Sequence, residues 1–219
     1  MEPTVSGVGV LDKSVSVLAA IEPRPLSLAE LVEATGLSRA TAHRLAVALE
    51  SHGLVRRDEE GRFALGVRLV ALGRAAAEAI PLATAATAAL EALRDATEES
   101  VQLYVREGER RVCIAALESP HGLRTIVPMG ASLPISKGSA GKLLSLEHGE
   151  KVPEWVQSVG EREAGVASVS APVCDVEGRV LAAVSVSGPM ERTSRKPGAR
   201  YARDVMAAAR RIERAAGLR

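Results

Sequence analysis

Apolar residues in the first third of the chain recur every three to four positions, which predicts short amphipathic helices. We expect the first helix over about residues 13–21, with Asp12 as its N-cap. A second helix begins at Ser27, because a serine followed three residues later by Glu30 forms a capping box. It ends near Gly36, since glycine readily adopts the left-handed conformation that closes a helix.

A third helix follows almost at once. Ser38 is a suitable N-cap, and the periodicity continues over residues 39–52. Residues 54–57 and 62–65 alternate as short strands around a turn at residues 58–61. Two helices joined by a tight turn and followed by a two-stranded hairpin predict a winged helix-turn-helix.

The third helix carries side chains suited to a DNA groove. Arginine pairs with guanine edges or phosphates, threonine contacts bases, and small residues permit close approach of the helix N-terminus. The candidate DNA-binding residues are Ser38, Arg39, Ala40, Thr41, His43 and Arg44, with Arg57 and Arg62 in the wing. The alternative is an ordinary solvated helix face.

Charge focuses this prediction on one segment. The whole chain has 28 Lys and Arg against 27 Asp and Glu, a net charge of +1, which excludes a generally basic nucleic-acid coat protein. Residues 38–57 contain four arginines and one glutamate, whereas the acids of residues 1–66 lie mostly elsewhere. A single such site binds weakly, so we expect a dimer on double-stranded DNA.

The rest of the chain predicts an α+β domain after a connector. Residues 67–80 form an Ala-rich linker helix, and a further helix covers about residues 82–96, although both could instead belong to one core. Antiparallel strands flanked by helices follow. We expect strands at 100–106, 111–117, 123–127, 165–174 and 179–187, a helix opening within 134–144, and a last helix at 199–216.

The hairpin near residue 178 places hydroxyl groups together. If its turn is centred on Glu177-Gly178, Ser170 faces Ser185 and Ser168 faces Ser187 on one side of the sheet. Buried hydroxyls need partners, and a small polar ligand such as a carboxylate would supply them. The alternative is serines bonded to one another and to water, and a three-residue turn would shift this register.

Composition narrows the function classes further. Aromatic residues make up 2% of the chain, which is too few for base-stacking platforms. Cys113 and Cys174 belong to no CxxC or Cys/His cluster, so neither a metal site nor a cofactor is expected. The N-terminus lacks a basic region before an apolar run, and no stretch reaches the ~18 apolar residues of a membrane span. We therefore expect a cytoplasmic protein without membrane partners.

Catalytic motifs are incomplete, and no catalytic residue is predicted. Ser139 and Lys142 have the SxxK spacing of penicillin-recognising hydrolases, but the partner SDN and KTG elements are missing. Gly141-Lys142 lacks the remaining residues of a phosphate-binding P-loop. His121 and His148 are expected to lie in loops, and neither is predicted to act as a general base or a metal ligand.

Taken in order, these motifs resemble the IclR family of bacterial transcription regulators over essentially the whole chain. The resemblance rests on Ser27–Glu30, Leu37–Leu45, Gly53–Val55, Phe63–Gly66, Leu133–Ile135, Gly141–Leu144, Ala171–Val173 and Ala182–Pro189. It implies an N-terminal DNA-binding domain, a GAF-like effector domain, and assembly as a homodimer or a dimer of dimers. The Ala- and Arg-rich composition is similar to the actinobacterial NdgR-like branch, which implies a link to amino-acid metabolism.

The resemblance also implies an effector pocket. Carried over to this chain, its residues are Leu123, Ser139, Ala140, Ser168, Ser185 and Ser187, to which the hairpin register adds Ser170. Ser168 stands where some relatives have cysteine, and residues 157–161 lack the aspartate of a small-acid-binding relative, which argues against a glyoxylate- or pyruvate-like ligand.

The sequence therefore predicts three segments: a winged helix-turn-helix over residues 1–66, a linker helix over 67–80, and an effector-binding and oligomerisation domain over 81–219. The predicted function is transcriptional regulation controlled by an organic acid or an amino-acid-related metabolite. Two other classes stay open: a small-acid-binding enzyme with a vestigial helix-turn-helix, and a pure interaction module.

Overall fold

A computed structural model describes residues 6–219, except for the side chains of residues 77 and 78, and the chain divides into two compact units between Ala76 and Ala77. The first unit contains α1 (Gly9–Ile21), α2 (Leu28–Thr35), α3 (Arg39–Ser51), β1 (Val55–Arg57), β2 (Phe63–Leu65) and the start of α4 (Arg68–Glu78). The second contains α5 (Pro81–Thr97), β3 (Ser100–Glu107), β4 (Arg110–Leu117), β5 (Ser132–Pro134), α6 (Ser139–Leu144), β6 (Val156–Val159), β7 (Val166–Cys174), β8 (Val180–Pro189), α7 (Met190–Thr193) and α8 (Pro197–Ala215). The linker role of residues 67–80, and with it the predicted boundaries at residues 66 and 80, stays a prediction.

Local side-chain bonds explain where the first helices begin. The predicted capping box is present: the Ser27 hydroxyl accepts from the Glu30 amide, and the Glu30 carboxylate accepts from the Ser27 amide. Ser38 caps α3 in the same way by accepting from the Thr41 amide.

The prediction for α1 was wrong at its start, because α1 begins at Gly9. The Asp12 carboxylate does not cap the helix and accepts instead from the amide and hydroxyl of Ser6.

The first unit is held together by one apolar cluster beneath the wing. Phe63, 1% exposed, fills its centre and exchanges two backbone hydrogen bonds with Leu26, which joins the α1–α2 connection to β2. The other buried members come from all three helices and β1: Val17, Ile21, Leu31, Ala42, Leu45, Ala46, Leu49 and Val55. This cluster leaves the opposite side of α3 facing outward.

The capping box makes the start of α2 sensitive to acid. Hydrogen bonds from Ser27, and then from Arg24, lower the pKa of Glu30 to about 2. A carboxyl whose pKa is depressed on folding stabilises the fold above its unfolded value, and this contribution is lost as pH falls from about 4.5 towards about 2. We therefore expect Glu30→Gln to lessen the acid sensitivity of α2.

Hydrogen–deuterium exchange of a peptide spanning residues 27–36 measures this effect. Wild type and variant are compared at each pH between 2 and 6, since intrinsic exchange rates also change with pH. Glu33→Gln, on the exposed side of the same helix, is the matched control. An acid response of α2 that is identical in wild type and Glu30→Gln would contradict the prediction.

The second unit is built on six antiparallel strands in the order β5-β4-β3-β8-β7-β6. The curled antiparallel sheet with flanking helices confirms the predicted α+β class.

The strand predicted at residues 123–127 was wrong. The edge of β4 is already occupied there, because Cys113 exchanges backbone hydrogen bonds with Gly130 and Ala131. Two short strands, β5 and β6, were not predicted.

The sheet has two faces of different chemistry. Helices α5 and α8 cover one face, where aliphatic side chains of four strands form the main core: Val101, Leu103, Ile114, Val169, Ala171, Val173, Ala182, Val184 and Val186. The short helix α6 lies against the other face with a second cluster that includes Tyr104, Cys113, Leu143 and Ala183. The serines of β7 and β8 alternate with the aliphatic residues and so lie on the α6 side.

Two glycines permit close contacts in this unit. A Cβ atom on Gly141 would lie 2.2 Å from the Ile135 carbonyl oxygen, so only glycine allows α6 to begin this close to the preceding loop. A Cβ atom on Gly198 would lie 2.2 Å from the ring of Trp155, and the Gly198 amide donates to the Gln157 side chain. Trp155 therefore packs directly on the start of α8, beside β6.

Among the described residues, no single helix is long and apolar enough to cross a membrane. The consecutive helices Arg68–Ala76 and Pro81–Thr97 pass that test of length and composition only when taken together.

Candidate nucleic-acid interface and ligand cavity

One side of α3 is exposed and carries two arginines and a histidine. Arg39, Ala40, His43 and Arg44 are exposed, and neither arginine has a hydrogen bond or ion pair within residues 6–219. Ser38 and Thr41 occupy the helix start, where their hydroxyls lie 2.9 Å apart. The first two turns of α3 therefore present exposed guanidinium groups close to the helix N-terminus, an arrangement that can bind phosphates and read base edges.

The wing arginines are placed differently from the sequence expectation. Arg62 donates to both Asp58 and Glu60, and these carboxylates raise its pKa. Arg57 stacks over Phe63 at 4.3 Å and donates to the Gly61 carbonyl oxygen. Both side chains are thus engaged inside the first unit, and a phosphate contact by either stays a prediction.

Arg56, which sequence reasoning did not select, is the exposed wing arginine without a partner in the part of the chain that the structure describes. Its position next to Arg57 in the short β1 strand was the available signal, because side chains alternate along a strand and only one of the two neighbours can stack on Phe63.

The β7–β8 hairpin has the predicted register. Ser168 pairs with Ser187 and Ser170 pairs with Ser185. The turn is longer than predicted and covers residues 175–179, but an irregularity next to Cys174 absorbs the difference and restores the pairing.

The hydroxyls of this face bond mainly to protein groups. Ser139, at the start of α6, lies 2.7 Å from the Ser168 hydroxyl and 2.8 Å from the Ser170 hydroxyl. The Ser187 hydroxyl donates to the Gln102 side chain at 3.0 Å, and the Ser185 hydroxyl contacts the Val169 carbonyl oxygen at 3.4 Å. The arrangement matches the alternative in which the serines satisfy one another.

The same face nevertheless lines a small cavity beneath α6. Its volume is about 20 Å³, close to that of one water molecule. Five predicted effector residues line it, namely Ser139, Ala140, Ser168, Ser185 and Ser187, together with Gln102, Tyr104, Arg111, Gly138, Ser158, Arg162 and Val166. We call this space the serine cavity.

Two predicted effector residues do not line the serine cavity. Ser170 is fully buried and contacts Ser139 from beneath. Leu123 is 63% exposed and belongs instead to a second cavity of about 560 Å³ that also includes Ile126 and Met190. Its placement as a pocket wall was approximate because residues 123–127 form an irregular loop. Val166 lines both cavities, so they are neighbours.

Sequence reasoning missed the two arginines of the serine cavity. Arg111 is 3% exposed, and its Nη1 donates to the carbonyl oxygens of Pro134 and Lys137, but its Nε has no acceptor. Nη2 of Arg162 is also buried without a hydrogen bond. An arginine facing inward from a strand was the available signal. The irregularity in β4 opposite Leu103 and Tyr104, where Ile114 has no partner on β3, obscures which side chains of the two strands share a face.

Acidic groups near the cavity are already paired. Glu161 accepts from Lys142 and from the Gly138 amide at the start of α6, and these bonds lower its pKa against the opposing effect of burial. The Gly138 amide at the start of α6 is therefore already occupied by a carboxylate of the protein. Lys142 is likewise engaged by Glu161 and not by Ser139.

The described residues show no assembled catalytic centre. Burial raises the pKa of Cys113 to about 12, so its thiol is a poor nucleophile. His121 lies 3.6 Å from Glu98 on the surface. Within residues 6–76 and 79–219, no group of three His, Cys, Asp or Glu side chains has metal-binding geometry.

Comparison with known proteins gives a consistent result across both units. The family model for the IclR helix-turn-helix domain matches residues 10–59, and the one for the bacterial transcriptional regulator IclR C-terminal domain matches residues 74–158 and 151–214. The DNA-binding transcriptional repressor YiaJ of Escherichia coli is 29% identical over 202 residues, covering 75% of this chain and 72% of YiaJ.

Solved structures agree in fold. An IclR transcriptional regulator from Alicyclobacillus acidocaldarius has a TM-score of 0.81 at 20% identity, covering 96% of this chain and 99% of its own. An IclR homologue from Microbacterium hydrocarbonoxydans, crystallised with 4-hydroxybenzoate, has a TM-score of 0.76 at 20% identity, covering 95% and 99%.

Proposed function

Since this chain belongs to the IclR family of bacterial transcriptional regulators, we propose that its first unit binds operator DNA through α3 and that a small metabolite in the serine cavity modulates this binding. The observation that carries the DNA-binding site is the exposed, unpartnered face formed by Arg39, His43 and Arg44. The wing and Arg56 supply the second contact region, on the phosphate backbone.

The proposed effector is an organic acid or an amino-acid-related metabolite. Its site follows from the hydroxyl and guanidinium groups gathered under α6. The 4-hydroxybenzoate bound by the Microbacterium homologue supports an acid as the ligand class. Control of amino-acid metabolism, as in the NdgR-like branch, stays a hypothesis, and we expect the protein in the cytoplasm, where its operator lies.

We further propose that the protein acts as a homodimer or a dimer of dimers. Two winged helices then contact two half-sites on one face of the duplex, and the effector changes how well they fit. Sedimentation at micromolar concentration measures the oligomeric state, and a monomer there would contradict the paired half-site model.

Fluorescence anisotropy on labelled DNA from upstream of the protein's own gene tests the proposed function. An unrelated fragment of equal length is the control, and both are titrated across a salt series. We expect tight binding that is selective for the upstream fragment, with affinity falling steeply as salt rises. Equal, weak binding to both fragments, unchanged by an extract of small metabolites, would contradict a regulator of this gene region.

A double substitution tests the effector site. Ser185→Leu with Ser187→Leu more than fills the serine cavity, which leaves no room for a ligand, and removes the donor to Gln102. We expect DNA binding to be retained and the metabolite response to be lost, measured by anisotropy with and without the extract. Ser194→Leu, an exposed serine outside the cavity, is the matched control. A full response in the double variant would place the effector elsewhere.

The other two classes make different predictions. A small-acid-binding enzyme would consume a carboxylate supplied to the purified protein, which proton NMR of the mixture detects. A pure interaction module would be insensitive to substitutions in α3 when DNA binding is measured. The regulator interpretation requires the opposite result in both measurements.

A further inference from the structure

A further cavity of the second unit lies between the second half of α8 and the end of β7. Its volume is about 250 Å³, against about 20 Å³ for the serine cavity, and among the described residues none lines both. Its walls come from one stripe of α8, from β7 and from the loop before β6, and they include Ala171, Pro172, Met206, Ala209, Arg210 and Glu213. We call this space the α8 cavity.

Glu213 brings a buried carboxylate to the α8 cavity. Its side chain is 4% exposed, and Oε1 accepts from the Cys174 amide at 2.9 Å. Oε2 is buried without a hydrogen bond in the described part of the chain; Arg219 Nε lies 3.3 Å away, but its side chain is 56% exposed. A buried acceptor of a charged group is costly to leave without a donor. Oε2 therefore favours a ligand that supplies an N–H group.

The charged side chains around the α8 cavity balance one another. Two acids and two arginines line it, namely Glu154, Glu213, Arg210 and Arg219. Glu154 and Arg210 are exposed, and neither has a hydrogen bond or ion pair within the described residues. The serine cavity, by contrast, is lined by two arginines and no acid. A ligand that carries both charges therefore suits the α8 cavity better than a simple anion or cation.

We propose that the α8 cavity binds a free α-amino acid in its zwitterionic form. The ammonium group of the ligand donates to Glu213 Oε2, and its carboxylate accepts from the guanidinium of Arg210. A volume of about 250 Å³ compares with about 30 Å³ per molecule in liquid water, so a ligand of roughly eight heavy atoms fits. The ligand side chain then packs against Met206 and the aliphatic wall of β7. This site goes beyond the proposed function, which requires no ligand here.

Scanning calorimetry of the full-length protein, with the standard amino acids added one at a time, tests the proposal. We expect at least one of them to raise the unfolding midpoint by roughly 5–10 °C at about 100 times its Kd. That amino acid is then compared with two analogues of the same side chain, the acid without the amino group and the amine without the carboxyl group. Each analogue should bind at least about 10-fold more weakly, because one charge-assisted contact is missing. The absence of a shift with every amino acid, or an equal shift with either analogue, would overturn the proposal.

Variants of α8 assign the shift to this cavity. Arg210→Gln changes an exposed side chain and should lower the affinity by roughly 10- to 100-fold. Glu213→Gln keeps an oxygen for the Cys174 amide but turns N–H donors towards the ammonium group, so binding should be lost. Arg211→Gln is the matched control, because Arg211 is an exposed neighbour on α8 that does not line the cavity. Full affinity in Arg210→Gln, or an equal loss in Arg211→Gln, would contradict the assignment.

A serine-cavity variant separates this site from the proposed effector site. Ser185→Leu with Ser187→Leu should leave the amino-acid shift unchanged, because neither serine lines the α8 cavity. A shift that is lost in this double variant and kept in Arg210→Gln would place the amino acid in the serine cavity, which overturns the proposal and leaves the proposed function standing. An Arg210-dependent shift in a protein without selective DNA binding would support the α8 cavity and contradict the proposed function instead.

Discussion

Replacing Arg39 and Arg44 together with alanine is expected to lower operator affinity by roughly 30-fold to more than 10,000-fold. A guanidinium contact to a base edge contributes about 1–3 kcal/mol, and each 1.4 kcal/mol corresponds to a factor of ten. Neither side chain has a partner within the described residues, and both are exposed. Their removal should therefore leave the free energy of unfolding of the first unit almost unchanged. A loss of operator affinity in this variant can then be assigned to the missing DNA contacts.

The salt dependence of binding shows which kind of contact each arginine makes. Loss of a phosphate contact weakens binding to all sequences and flattens the salt slope, whereas loss of a base contact reduces discrimination between operator and unrelated DNA. Lys13→Ala removes an exposed positive charge from α1 and is the control for net charge. Operator affinity that falls no further in Arg39→Ala/Arg44→Ala than in Lys13→Ala would contradict the assignment of α3 as the reading helix.

Replacing Arg192 with leucine is expected to destabilise the second unit by about 3–5 kcal/mol. Glu99 is 1% exposed, and both of its carboxylate oxygens accept from the Arg192 guanidinium at 2.7 Å. Removing the arginine leaves a buried carboxylate without its counter-charge. Such a loss of one partner destabilises a protein more than replacing both partners with apolar residues. Arg192 also donates to the Leu123 carbonyl oxygen, so the loop at residues 123–127 should loosen as well.

A double-mutant comparison separates the pair from general disruption. Glu99→Met combined with Arg192→Leu removes both charges and should recover much of the lost stability, because an apolar pair needs no counter-charge. Arg195→Leu, an exposed arginine without a partner in the described chain, is the control. Denaturant unfolding measures all four proteins, and a double variant no more stable than Arg192→Leu alone would contradict this explanation.

Local sequence signals predicted most of the fold. The capping box at Ser27 and the serine cap at Ser38 are contacts between residues three apart, so they can be read without knowing the tertiary structure. The register of β7 and β8 could likewise be predicted from alternation and one turn. The strand expected at residues 123–127 failed because pairing depends on which strand edges are free, and β4 is occupied there by residues 130 and 131.

The candidate sites were predictable only in part, for a related reason. The serines were found because four of them alternate on two adjacent strands. Arg111 and Arg162 come from distant segments, one next to a bulge and one in a turn between strands of which β6 was not predicted. Arg57 and Arg62 were selected by charge alone, whereas their stacking and ion pairs depend on how the wing folds back on Phe63 and Asp58.

The packing of Trp155 on Gly198 gives the molecule a built-in optical reporter. It is the chain's sole tryptophan, and both tyrosines also lie in the second unit. Phe63, which barely emits, is the one aromatic residue of the first unit. Trp155 immediately precedes β6, which leads through Ser158 into the turn carrying Arg162. The intrinsic tryptophan fluorescence of the unlabelled protein therefore reports on changes in the second unit, whereas the first unit contributes almost no fluorescence.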